Sequence, residues 1–155
     1  MRRGTVHDFT ERAIGRERPM RRDFALPEEE VELLEGSGLQ WEAITEGGSK
    51  WLIVRSIPLP SAFVASTTSV AIQIPTGYPA TGLDMAYFNP AIRREDGGTI
   101  PCTEATQQID GLNWQRWSRH YTAANPWKIG EYNILTHYLL CLSWLHRDAR
   151  RGMAA

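Results

Sequence analysis

Cys102 is the residue of this sequence best placed to do chemistry. It closes the glycine- and proline-rich run Gly97-Gly98-Thr99-Ile100-Pro101-Cys102. A cysteine is partly thiolate at neutral pH and is intrinsically a strong nucleophile. A loop can present such a thiol to an incoming chain, whereas a packed helix cannot. Arg93, Arg94, Arg116 and Arg119 would lower its pKa if they approached it. The competing reading is an incidental loop cysteine. The second cysteine lies within Leu139-Leu140-Cys141-Leu142 and reads as a small buried hydrophobe.

His120, after Trp117-Ser118-Arg119, is a candidate general base for an incoming amine, weighed against a histidine that only bonds loop backbone. His137 reads as a half-buried packing residue. Asn89 could donate its side-chain amide to an oxyanion, although its place before Pro90 fits plain turn chemistry better. Ser118 carries a hydroxyl with no activating base in view, and Thr103 is a weaker hydroxyl candidate. Asp110, before Gly111, reads first as a turn residue and second as a proton acceptor. Trp114, Trp117 and Trp127 are expected to wedge their loop onto the rest of the domain, with an exposed aromatic anchor for a partner as the alternative. Tyr78-Pro79 reads as a fixed turn.

Several chemistries lack their sequence signatures. The two cysteines form no C-x-x-C pair, and the four histidines show no metal-type spacing. There is no phosphate loop, paired catalytic carboxylate or Ser-His-Asp signature. Neither a metal nor a cofactor is expected. A formal net charge of -1 gives no overall electrostatic case for nucleic acid. No apolar run is long enough to span a bilayer, and the basic start Met1-Arg2-Arg3-Gly4 leads into no apolar segment. The expectation is a cytoplasmic protein with reduced thiols.

The elements that must position these residues follow from pattern. Residues 1–24 are arginine-rich and poor in apolar side chains, so a flexible, solvated arm is expected there, with one domain over 25–151. Pro27 opens a short helix with three glutamates in its first turn, and Gly36-Ser37-Gly38 stops it. Strand patterns follow at 39–43, 51–57, 70–74 and 83–88, with short connections that favour an antiparallel meander. Residues 89–130 hold many glycines and prolines and three tryptophans, and read as a long ordered loop. A helical stripe over about 131–150 ends the domain. The predicted class is α+β: a four-stranded antiparallel meander flanked by an N-terminal and a C-terminal helix.

That order, with particular residues, resembles the ubiquitin-conjugating (E2) fold in a minimal form. Gly77-Tyr78-Pro79 stands where E2 enzymes carry a Tyr-Pro pair after the third strand. Phe88-Asn89-Pro90-Ala91 matches their Tyr-His-Pro-Asn stretch, Gly98-Thr99-Ile100-Pro101-Cys102 their G-x-I-C, and Trp117-Ser118 their Trp-Ser. The pattern is more closely similar to prokaryotic E2 family E. Leu26-Pro27-Glu28-Glu29, Leu83-Asp84-Met85, Ile109-Asp110-Gly111, Trp114-Gln115-Arg116-Trp117-Ser118-Arg119-His120, Asn125-Pro126-Trp127 and Thr136-His137 carry that likeness. It covers residues 26 to 147.

The resemblance implies a role in a bacterial ubiquitin-like conjugation pathway. The chain would accept a ubiquitin-like protein as a thioester on Cys102 from an E1-like adenylating enzyme and pass it to a target. His120 and Asn89 would assist, and Tyr78, Pro79, Trp114, Trp117, Ser118 and Arg119 would form the loop and partner surface. Such proteins are associated with multi-ubiquitin operons and a JAB-type peptidase. The departures point to an alternative, a catalytically inactive adaptor that holds the ubiquitin-like protein or E1. Position 91 is alanine where E2s have asparagine, position 89 is asparagine where they have histidine, Pro101 precedes the cysteine, and no Leu-Asp follows it. The chain ends after its second helix, where most E2s have two more.

Overall fold

A computed structural model of the chain describes residues 19–151. Most of the arm expected over 1–24 lies outside the described residues. Its last residues do not stand apart from the domain. Asp23 N–H donates to the Ala43 carbonyl at 2.7 Å and Ala43 N–H to the Arg21 carbonyl at 2.9 Å. The Arg22 guanidinium lies over the Trp41 ring, 3.4 Å from its centroid.

The elements are α1 (Glu28–Gly36), β1 (Gln40–Glu46), β2 (Ser49–Pro58), β3 (Thr67–Ile74), β4 (Ala86–Asn89), β5 (Thr106–Ile109), β6 (Leu112–Trp117) and α2 (Ile134–Arg151). The strands form one antiparallel sheet in the order β1-β2-β3-β4-β6-β5. The meander β1 to β4 is as expected, but the sheet has six strands, not four. The segment expected to be a long loop contains the hairpin β5–β6. Asp110 and Gly111 supply its two-residue turn at φ +51° and +77°, a left-handed pair that glycine and aspartate tolerate. Gln107 and Gln108 are exposed on the outermost strand, which removes the apolar alternation that announces a half-buried strand.

Both faces of the sheet bury apolar residues. On one face, Trp41, Ala43, Leu52, Val54, Val70, Ile72, Ala86, Phe88 and Trp117 meet the helices. On the other, Ile44, Trp51, Ile53, Ala71, Tyr87, Ile109 and Trp114 form a second core. The curl of the sheet encloses that second core. It brings the β5–β6 turn to the opposite edge, where Asp110 N–H donates to the Glu46 carboxylate and Arg21 Nη1 donates to Asp110 Oδ1 at 2.8 Å.

Helix α2 starts at a reciprocal cap. Thr136 N–H donates to Asn133 Oδ1 at 2.9 Å, and Asn133 N–H to Thr136 Oγ1 at 2.8 Å. That cap places the start after the expected 131. The Ile134 N–H donates to Glu30 Oε1 at 2.7 Å, so the buried carboxylate of α1 meets the positive end of α2. The Tyr78 hydroxyl donates to the same oxygen. Ile134, His137, Tyr138, Cys141, Trp144, Leu145 and Asp148 then form the buried stripe of α2. Among the described residues, no helix is long and apolar enough to cross a membrane.

Candidate active site

The Cys102 loop is held at both ends. On the sheet side, Ser118 N–H donates to the Cys102 carbonyl at 2.8 Å and Arg116 N–H to the Ala105 carbonyl at 2.8 Å. On the helix side, Arg94 Nη1 donates to Asp148 Oδ2 at 2.8 Å in a buried pair. Arg94 Nη2 meets Asp96 Oδ2 at 2.8 Å, and Gly98 N–H donates to Asp96 Oδ1 at 2.8 Å. Arg151 closes the clamp, donating to the Thr99 carbonyl at 2.6 Å and reaching Asp148 Oδ1 at 3.0 Å. Hydrogen bonding to Arg94 and to the Gly98 amide holds the Asp96 carboxyl down at about 2.

Cys102 itself is exposed, at φ +65°. A non-glycine residue in the left-handed region is uncommon, and such positions concentrate at functional sites. The thiol lies at a groove of about 540 Å³ floored by Pro101, Trp117 and Trp144 and rimmed by Arg119, Arg147, Arg150 and Arg151. The expected arginines are therefore mostly the wrong ones. Arg94 is committed to Asp148 and Asp96, Arg116 Nε donates to Ser118 Oγ, and Arg93 lines a different cavity. Of the four, only Arg119 lines the Cys102 groove, and three arginines of α2 join it. No local signal in the sequence ties them to Cys102, because they come from the C-terminal turns of α2.

Cys141 is fully buried, and burial pushes its thiol pKa up, as a packing role requires. Asn89 Nδ2 donates to the Asn113 carbonyl at 3.0 Å, and Asn89 does not line the groove. Thr103 Oγ1 donates to the Ile100 carbonyl at 2.7 Å. Trp114 and Trp117 are 1% and 4% exposed, so they are core residues and not exposed anchors. Trp117 links the two elements beside the thiol, with ring centroids 6.1 Å from Phe88 and 6.0 Å from Trp144. Trp127, partly exposed, donates its indole N–H to the Pro79 carbonyl at 2.9 Å. It also fills the space over Gly82, where no Cβ would fit.

A second cavity of about 590 Å³ adjoins the groove and shares Arg119, Trp144 and Arg147 with it. His120 lines it, with Nδ1 at 2.9 and 3.0 Å from the two carboxylate oxygens of Asp84. A carboxylate on Nδ1 fixes the tautomer that leaves Nε2 available as a base. Asp84 was not foreseen as a partner: 36 residues separate the two, and no motif spacing joins them. Among the described residues, no three His, Cys, Asp or Glu side chains cluster as a metal site would require.

His137 is fully buried, not half-buried as expected. Its Nε2 donates to the Met85 carbonyl at 2.8 Å and its Nδ1 accepts from the Tyr121 hydroxyl at 2.8 Å. Burial pushes its pKa below the ordinary 6.5, against a smaller upward pull from the Met85 carbonyl. Above that pH the imidazole is neutral in both folded and unfolded chains. As pH falls below it, the unfolded chain takes up a proton that the folded chain refuses, and the fold loses stability. The urea midpoint is expected to drop between about pH 7.5 and about pH 5.5, and to drop less in His137→Gln. Equal drops in the two proteins would show that this imidazole is not the cause.

The α+β architecture, with its antiparallel meander between two helices and a cysteine loop after the fourth strand, is compatible with an E2-like fold. The chain belongs to prokaryotic E2 family E, whose family model matches residues 26–148. No curated protein and no solved structure matches it. Membership gives the chain an E2-like role in prokaryotic ubiquitin-like conjugation, which in general terms involves a ubiquitin-like protein and an E1-like enzyme.

Proposed function

We propose that this chain is an acyl carrier that takes a ubiquitin-like protein from an E1-like enzyme onto Cys102 and delivers it to a target amine. One observation carries the reading: Cys102 is exposed at the groove on a left-handed backbone position, while Cys141 is sealed in the core. The Cys102 thiolate attacks the carbonyl carbon of the E1 thioester, a new C–S bond forms, and the E1 thiolate leaves. The target amine then attacks the same carbon, a C–N bond forms, and the Cys102 thiolate is regenerated. The proton lost by the amine goes to His120 Nε2, oriented through Asp84. A JAB-type peptidase, a multi-ubiquitin operon and a cytoplasmic setting belong to the same reading.

The test combines E1, ATP, the ubiquitin-like protein and this chain, with gels run with and without reductant. A reductant-sensitive adduct is expected, and its absence with an active E1 overturns the proposal. An adduct that resists reductant but breaks in mild base would identify a hydroxyl ester instead. His120→Gln is expected to load normally and to discharge to an amine roughly 100-fold more slowly. Normal discharge would remove His120 from the mechanism.

The adaptor reading rests on oxyanion support. The Ala91 side chain has no donor, and the Asn89 side-chain amide is used on the Asn113 carbonyl. If no thioester forms yet the chain binds the loaded E1, the adaptor reading replaces the carrier.

A further inference from the structure

The groove at Cys102 and the cavity at His120 lie side by side along α2 and share the wall residues Arg119, Trp144 and Arg147; the two together are called the trough. Its charge differs from that of the molecule. The whole chain carries a formal net charge of -1. At the Cys102 end of the trough, four guanidinium groups face a single carboxylate, Asp148. That carboxylate is buried and already held by Arg94 and Arg151. Among the described residues, Arg119, Arg147 and Arg150 have no carboxylate within ion-pair distance. The Arg119 guanidinium lies 5.0 Å from the centre of the Trp144 ring, held over the apolar floor.

Unneutralised arginines along an apolar floor fit an extended chain that supplies both carboxylates and side-chain contact. The trough-lining part of α2 runs from Thr136 to Arg151. From Thr136 to Arg151 the helix rises about 22 Å, the span of about seven extended residues. Cys102 sits at one end, so a chain whose terminal carbonyl reaches the thiol must lay its preceding residues along this path.

We propose that the trough binds an acidic extended segment, the stretch of the ubiquitin-like protein that leads to its C-terminal carbonyl. The inference rests on the carrier reading for the identity of the occupant. The rival occupant of a basic, aromatic-lined groove is single-stranded nucleic acid, and phosphate would use the same arginines.

The test measures fluorescence anisotropy with three labelled probes: a ten-residue peptide amide containing four glutamates and ending in Gly-Gly, the same peptide with glutamines, and an oligo-uridine of ten nucleotides. The glutamate peptide is expected to bind at least about tenfold tighter than the glutamine peptide at low salt, the sum of two or three weak surface pairs. The preference should shrink as salt rises. The double variant Arg147→Gln, Arg150→Gln should lose it while keeping the wild-type melting temperature, and Arg147→Lys, Arg150→Lys should recover part of it. Equal affinity for the two peptides, or a preference kept by the double glutamine variant, overturns the proposal. Tighter binding of oligo-uridine than of the glutamate peptide also overturns it, in favour of nucleic acid. Cys102→Ser separates this inference from the carrier reading. It should bind the glutamate peptide normally while forming no thioester. A chain that loads but shows no acidic preference fails only the inference made here, and one that shows the preference but never loads fails only the carrier reading.

Discussion

Cys102→Ala is expected to abolish the reductant-sensitive adduct with the ubiquitin-like protein, while Cys141→Ala retains it. The effect should be all or none, because no other side chain near the groove offers an accessible thiol. Cys141 is the second of only two cysteines and has no exposed surface. Burial also raises its pKa, so the folded chain presents little thiolate there. The neighbouring hydroxyls are poor substitutes. Ser118 Oγ accepts from Arg116, and Thr103 Oγ1 donates to the Ile100 carbonyl. A hydroxyl also needs a base within hydrogen-bond reach to act as a nucleophile. Because Cys102 is exposed, its replacement by alanine should leave the melting temperature within a few degrees of wild type. A lost adduct then reports lost chemistry and not lost fold. Unimpaired conjugation by Cys102→Ala would end the thiol hypothesis.

Trp114→Ala is expected to destabilise the fold by about 3–5 kcal/mol, the cost of emptying a fully buried aromatic site. Trp114 is 1% exposed and is one of the two tryptophans of the second core. Its indole N–H donates to the Ile109 carbonyl at 3.1 Å, so the substitution also removes a tie across the hairpin. Trp51 and Tyr87, which pack edge to face with centroids 5.1 Å apart, would lose their cover. For a domain of this size the loss corresponds to a fall in melting temperature of roughly 10–20 °C. A scanning calorimetry shift of only a few degrees would mean that the curl of the sheet closes without this residue. Loading on Cys102 measured well below the lowered transition should persist, since the Trp114 side chain belongs to the core opposite the groove.

Much of this molecule was legible in its residues. Pro27 and the three glutamates after it mark α1 through local chemistry alone, because a helix start depends on caps and dipole within one turn. The alternation in 39–43 and 70–74 and the apolar run 51–57 mark β1 to β3, although the fold buries both faces of these strands. The apolar period of 134–149 marks α2 in the same way. Cys102 and Cys141 were separable by setting, a Gly/Pro loop against an apolar helix. The motif stretch from Trp114 to His120 and the Tyr78-Pro79 pair carried the family resemblance, which the match over 26–148 bears out.

The hairpin β5–β6 is only partly legible in the sequence. Asp110-Gly111 is the dipeptide that a two-residue hairpin turn favours. The strands around it carry glutamine and asparagine at positions where apolar alternation would have been the signal, because β5 is the outer edge of the sheet. What the sequence could not determine was proximity. Asp84 and His120 meet because β4 pairs with β6, which brings the segments flanking those strands together. Arg94 reads in the sequence as a charge that would act on the Cys102 thiol; in the fold it and Arg151 clamp the Cys102 loop from distant parts of the chain through Asp148. The arginine rim of the trough arises the same way, from the C-terminal turns of α2 packing against the end of β6. Local elements follow from short-range sterics and burial period, which neighbouring residues carry. A site depends on which distant segments the core forces together, and only the packed chain specifies that.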